Sequence, residues 1–248
     1  PASGVGVRPG AGAGYAGAPA AAAAYGTRYA SSAALAEQGA AYRAAAVGHP
    51  AYTPAMYAGY PNAWAPTNVV TTSLYTHPGY NNLAVGLGMA AQPIPYDYGG
   101  NVVVQSDTVY VNGDAAGTPQ QYASQASQLA VSGQAAQPAE DTKWLPLGVF
   151  ALVEGDQTNS DDVFQLAVDR QGIIRGNYHN VRTNQVESMS GAVDKTTQRA
   201  AWTIGNDQTP VYEAGLANLT KDQTPILVHT ADGQTRQVSL IRLPQPSS

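Results

Sequence analysis

From Trp144 onward the chain reads as eight strand-length runs joined by connections too short to carry a parallel crossover, which needs a dozen or more residues. The runs span 144–153, 162–169, 172–179, 185–193, 198–204, 210–217, 224–230 and 235–243. Alternation is plain in Phe164/Leu166/Val168, in Trp202/Ile204 against Ala201/Thr203, and in Val238/Leu240 against Ser239/Ile241. Three connections, Asp169-Arg170-Gln171-Gly172, Asp194-Lys195-Thr196-Thr197 and Ala231-Asp232-Gly233-Gln234, carry turn chemistry. No helix signal separates the runs, so each pairs with its sequence neighbours. The prediction is a mainly β fold: an eight-stranded antiparallel meander over 143–244, closed as a small barrel or curled as a sandwich. Closure removes sheet edges, and about eight strands leave an interior that side chains just fill.

The wording before this region is different. Thirteen of the fifteen tyrosines precede residue 123, in an Ala/Gly/Pro background where residues 1–100 hold only Arg8, Arg28, Glu37, Arg43 and Asp97 as charges. A solvated disordered tail carries more charge than this. Residues 1–95 therefore read as a long low-complexity arm that packs on protein. Residues 31–47 predict a helix, capped by Ser31 or Ser32 and stopped by Gly48-His49-Pro50. Between 50 and 100 the Pro/Tyr wording predicts extended, polyproline-like or turn conformations. Residues 96–130 predict a β-hairpin about Ser106-Asp107, ended by Asn112-Gly113, and then a helix. Thr118 caps that helix, Pro119 starts it, Gln121 completes a capping box, and Tyr122, Ala126 and Leu129 share a face. Residues 131–142 read as a linker.

Composition removes several classes of function. There is no cysteine, hence no disulfide, thiolate metal site or cysteine nucleophile. A net charge of −5 with no Lys/Arg cluster argues against nucleic-acid binding. No apolar run approaches the roughly 18–20 residues of a membrane-spanning helix. The chain opens on Pro1 rather than Met, which fits removal of a secretory signal and an extracellular or cell-surface setting.

Catalytic patterns are missing. His49, His77, His179 and His229 show no metal-ligand spacing, and His229 reads as a barrel-wall residue. No G-x-S-x-G elbow or phosphate-binding loop occurs. Glu154, Glu187 and Glu213 are carboxylates that an acid–base pair would need, yet nothing in their spacing joins two of them. The loop 156–162 offers Asp156, Asn159, Asp161 and Asp162 as a weak Ca²⁺ candidate, without the glycine and terminal Glu of an EF-hand. No other cofactor is implied, and no enzymatic activity is expected.

The runs Trp144-Leu145-Pro146-Leu147-Gly148-Val149-Phe150-Ala151-Leu152, Gln171-Gly172-Ile173-Ile174-Arg175-Gly176-Asn177-Tyr178 and Gln198-Arg199-Ala200-Ala201-Trp202-Thr203-Ile204-Gly205 resemble a family of uncharacterised secreted proteins of planctomycete bacteria, sometimes labelled mu-protocadherin-like. Asp107-Thr108-Val109-Tyr110-Val111-Asn112-Gly113 and the helix after it resemble the same family's preceding module, so the likeness covers about 96–243. It implies export and a cell-surface setting. The pattern at 172–178 also resembles streptavidin-like barrels in architecture and carries no ligand residues across.

Two functions follow as expectations. The first is a structural protein that assembles with copies of itself into a fibre, filament or surface layer. Its contact residues are Tyr15, Tyr25, Tyr29, Tyr42, Tyr52, Tyr57, Tyr60, Trp64, Val69, Val70, Leu74, Tyr75 and Tyr80, with 68–74 adding a strand to a neighbour. On this reading, deleting 1–95 leaves a folded monomer. The second is a ligand- or glycan-binding barrel on a flexible stalk, with cell-surface polysaccharide as a partner.

Overall fold

Runs that pair only with their sequence neighbours must form a meander, and the meander closes when its last strand meets its first. The structure, a computed structural model, describes residues 37, 39–43, 54–66, 74–155, 157 and 159–245. Within them lie α1 (Pro54–Gly59), α2 (Tyr80–Leu87), β1 (Val102–Gln105), β2 (Thr108–Val111), β3 (Asp114–Gly117) and α3 (Pro119–Ala135). The eight strands of the meander follow: β4 (Trp144–Val153), β5 (Asp162–Asp169), β6 (Ile173–Asn180), β7 (Gln185–Asp194), β8 (Arg199–Ile204), β9 (Val211–Gly215), β10 (Gln223–His229) and β11 (Thr235–Arg242). All eight predicted runs are strands, and they close as a barrel. The seam is β11 on β4, with Ser239 opposite Val153 and Arg242 opposite Phe150.

Inward-facing Phe150, Phe164, Leu166, Trp202, Ile226 and Leu240 fill the barrel. Phe164 meets Tyr212 edge-on at 5.2 Å, and Trp202 stacks on Tyr212 at 6.2 Å. Gly191 admits Trp202, because a Cβ there would lie 2.1 Å from the Ala201 carbonyl oxygen.

Connections fall at two ends. One end, formed by the β5–β6, β7–β8 and β9–β10 connections, is closed. Leu83 and Leu87 of α2 join the barrel's interior cluster there, with Leu145, Leu216 and Leu219. Buried Arg242 sits at the same end, 4.6 Å over the Phe150 ring, and donates to the carbonyls of Leu147 (3.0 Å) and Leu219 (2.6 Å). Among the described residues the other end stays open.

Several expectations are corrected. Asn112-Gly113 does not end the hairpin. With φ of 54° and 91° it forms a second tight turn, and Asp114–Gly117 adds a third strand. The helix after Thr118 keeps its capping box but runs to Ala135, so the linker begins later than 131. Its buried face is Tyr122, Ala126, Ala130 and Gly133, with Leu129 only partly covered. Gly133 lets the helix touch the barrel: a Cβ there would fall 1.8 Å from the Gly191 carbonyl oxygen. The Pro/Tyr region is not wholly extended, since it contains α1 and α2. Of the helix predicted at 31–47, residues 37 and 39–43 are described and are helical.

The arm's described side chains rest on this chain's own barrel. Tyr42 and Leu74 are buried among outward-facing Val149, Ala151, Val153, Val163, Ile241 and Leu243, and Tyr57, Tyr60 and Tyr75 pack against that cluster. The hydroxyl of Tyr42 donates to the Ser160 carbonyl at 3.0 Å, and that of Tyr60 to the Asn184 carbonyl at 2.8 Å. Burial pushes the Tyr57 phenol up to about 12. Tyr80 donates to the Gln92 carbonyl at 3.2 Å. Tyr15, Tyr25, Tyr29, Tyr52, Val69 and Val70 lie outside the described residues, as does the proposed added strand apart from Leu74. A cut at residue 95 would therefore remove α2, Tyr42 and Leu74, and leave the barrel unplugged with an apolar outer face bare. Such a fragment should therefore unfold more readily than the full chain, which chemical denaturation of the two would show.

Leu87 is 1% exposed and Val85, on the same helix, is 79% exposed. Leu87→Ala should lower unfolding free energy by about 2–5 kcal/mol in chemical denaturation, while Val85→Ala should stay within about 0.5 kcal/mol.

Candidate functional site

The open end is built by the loops 154–161, 181–184, 205–210 and 230–234. Two adjoining hollows of about 390 and 250 Å³ occupy it, and both reach Leu152 and Asp162. Alternation along each strand decides what enters. Tyr178 follows Ile174 and Gly176 on the inner face of β6, and Tyr212 points inward from β9 against Phe164 and Trp202. Apolar interior gives way to polar rim within one residue pair of each strand end.

Asp162 is the centre of the polar set. Its Oδ1 accepts from the Tyr178 hydroxyl at 2.7 Å and from Asn180 Nδ2 at 2.8 Å. Burial, reinforced by the bond to Asp162, pushes the Tyr178 phenol up to about 12, and burial also lifts Tyr212 to about 12. Both are hydroxyls, not phenolates, at neutral pH. Glu187 accepts from Gln185 Nε2 at 2.7 Å, and Gly205 leaves room beside it, since a Cβ there would sit 2.8 Å from Glu187 Oε2.

Charge in the mouth is unbalanced. The hollows are lined by the carboxylates Glu154, Asp161, Asp162, Glu187 and Asp207. Two arginines face them: Arg182 pairs with Asp161 at 2.8 Å, and Arg236 pairs with Glu154. Neither pair involves Asp162, Glu187 or Asp207. The mouth thus presents acceptors in excess of donors, over two tyrosine rings.

The weak Ca²⁺ candidate falls on this rim. Asn159, Asp161 and Asp162 line the larger hollow, but Asp161 turns to Arg182 while Asp162 turns inward to Tyr178. Asp156 lies outside the described residues. Among the described residues no group of three or more His, Asp or Glu is placed to hold a metal ion. No helix among them is long and apolar enough to cross a membrane.

The three glutamates weighed as acid–base partners separate. Glu154 is on the rim, Glu187 is in the mouth, and Glu213 lies on the outer wall beneath α3. Glu213 is 0% exposed. Arg199 grips it with Nε at 3.1 Å and Nη2 at 2.8 Å, and His229 Nε2 meets it at 2.8 Å. His229 Nδ1 lies 2.9 Å from Thr235 Oγ1, so hydroxyl, imidazole and carboxylate stand in the order a nucleophilic site would need. The cluster is sealed, however. Arg199 stacks on the Tyr122 ring at 3.7 Å and donates to the Tyr122 carbonyl and to Gln125, so α3 covers the arginine side, and Glu213, His229 and Thr235 are all buried. It fastens α3 to the barrel. His229 is a wall residue, as the sequence predicts.

Sequence reading identified the rim residues Asn159, Asp161 and Asp162. It missed Tyr178, Glu187, Asp207 and Tyr212 as parts of one site, because which loops share an end follows from strand parity across the whole meander. No family model, curated protein or solved structure matches this chain.

Burial alone would raise the Glu213 carboxyl, but Arg199 and the bond to His229 outweigh it and hold the group down to about 2, against an ordinary value of 4.5. A carboxylate with a depressed folded value adds stability that is complete above the unfolded value and is lost as pH falls through the folded one. Denaturation midpoints measured from pH 7 to pH 2 should fall chiefly between about 4.5 and about 2. Glu213→Gln should flatten that limb and cost about 3–5 kcal/mol at pH 7, because Arg199 is left buried without its counter-charge.

Proposed function

We propose that the protein is a non-enzymatic binding module whose barrel takes a small, donor-rich polar solute (a sugar, polyol or amine) into its open mouth. One observation carries this reading: the barrel is plugged at one end by Leu83 and Leu87 and opens at the other onto hollows with more carboxylates than cations. A filled interior excludes a deep ligand cavity, so recognition belongs to the rim. There, acceptors on Asp162, Glu187 and Asp207 suit hydroxyl or ammonium donors, and the Tyr178 and Tyr212 rings suit the apolar face of a sugar or the methylenes of an amine.

We favour this reading over self-assembly because the described arm residues Tyr42, Tyr57, Tyr60, Leu74 and Tyr75 find apolar partners on the barrel of the same chain. The arm is accordingly read as a strap that covers one outer face and plugs one end. An extracellular or cell-surface setting belongs to this proposal through the resemblance of residues 96–243.

Calorimetric titration of the full chain with glucose, glucosamine, glycerol and putrescine separates the ligand classes. At least one should bind, with putrescine and glucosamine favoured over glucose if charge leads. Asp162→Asn should weaken that binding about 10–100-fold, the loss of one charge-assisted hydrogen bond. Failure of the whole panel to bind, or unchanged affinity in the variant, overturns the reading.

A further inference from the structure

A separate hollow, of about 260 Å³, lies on the outer wall of the barrel and shares no residue with the mouth. Trp64 from the arm and Trp144 from the start of β4 line it as an edge-to-face pair in contact, with rings 5.0 Å apart and planes at 80°. These are two of the chain's three tryptophans, and both stay partly exposed. Ala65, Pro138, Ala139, Glu140 and Arg175 complete the lining.

Two outward-facing residues of β6 hold both walls. Asn177, fully buried, accepts from the Trp64 amide at 2.8 Å and donates to the Trp64 carbonyl at 2.6 Å, as a neighbouring strand would. Its amide also donates to Gln165 Oε1 at 3.0 Å, which fixes its orientation. Two residues earlier, Arg175 donates to the carbonyls of Gly133 at 2.9 Å and Ala136 at 2.6 Å. That pins the end of α3 and the start of the segment bearing Pro138, Ala139 and Glu140. The indole pair is therefore preorganised rather than loosely hung, which lowers the ordering cost of binding.

The lining selects among ligands. The Arg175 cation in the floor disfavours a cationic guest, and the Glu140 carboxylate at the rim disfavours an anionic one. A peptide would need main-chain partners, but the closed barrel wall beneath the groove offers no free strand edge. A neutral body with one flat C–H face and a rim of hydroxyls fits what remains: indole for the face, the polar edge of the lining for the hydroxyls. We infer that the Trp64–Trp144 groove is a second binding site, for a neutral pyranose unit of a glycan chain.

The site is independent of the mouth, so either can fail without the other. The test is affinity electrophoresis of the full chain through gels containing dextran, xylan or hydroxyethylcellulose, with intrinsic fluorescence titration by the matching oligosaccharide. The expected result is retardation by at least one polymer and a change in tryptophan emission. Trp144→Ala should abolish the retardation, and Trp144→Phe, which keeps a ring and guards against loss of folding, should retain part of it. Val131→Ala, on the exposed side of α3, should migrate as the parent does. No retardation by any polymer, or retardation unchanged in Trp144→Ala, overturns the inference.

Discussion

Closing eight strands into a cylinder abolishes every sheet edge but leaves two ends, and the rest of this molecule follows from how each end is treated. At one end Leu83 and Leu87 complete the apolar interior and Arg242 ties β11 to β4 and to the turn after β9 through main-chain carbonyls. The guanidinium there is held by carbonyl dipoles, and burial, only partly offset by the Asp222 carboxylate, lowers it to about 10. At the other end nothing apolar among the described residues caps the cylinder. Strand alternation brings Tyr178 and Tyr212 to the level where Asp162, Glu187 and Asp207 begin, and the result is a polar mouth over an apolar floor.

The outer surface obeys the same logic. A meander of alternating runs should show a polar outer face to water, yet Val149, Ala151, Val153, Val163 and Ile241 face outward. Such a patch must be covered. Tyr42, Leu74 and their neighbours cover it from far upstream in the chain, and the Tyr42 and Tyr60 hydroxyls donate to loop carbonyls of Ser160 and Asn184. On the opposite flank α3 covers the Arg199–Glu213–His229 cluster. The described tyrosines Tyr42, Tyr57, Tyr60 and Tyr75 all rest on that outer wall.

Much of this was legible in the sequence, for identifiable reasons. β4 and β5 occupy the predicted 144–153 and 162–169, β5 through its Phe164/Leu166/Val168 alternation and the turn after it, β4 as an apolar run buried along most of its length. The capping box at Thr118 and Gln121 formed because it needs only local chemistry. β3 was not legible: Asp-Ala-Ala-Gly has no β-branched residue and is held by the turn before it. Nor was α2, an eight-residue helix whose Gly79 cap has no side-chain bond and whose stability comes from the barrel it plugs. The rim carboxylates of 159–162 stood out as a cluster, whereas their convergence with Tyr178 and Glu187 depends on pairings such as Phe164 with Tyr178 and Tyr178 with Glu187.

The central claim is that the two ends of the barrel differ, one sealed and one receptive. Amide chemical-shift mapping of the full chain during titration with glucosamine or putrescine tests it most directly. Shifts confined to the loops around 154–162, 178–187 and 205–212, with α2 and the residues around Arg242 unmoved, are the predicted result. Shifts centred on α2 and the closed end, or none at the mouth with either solute, would contradict it.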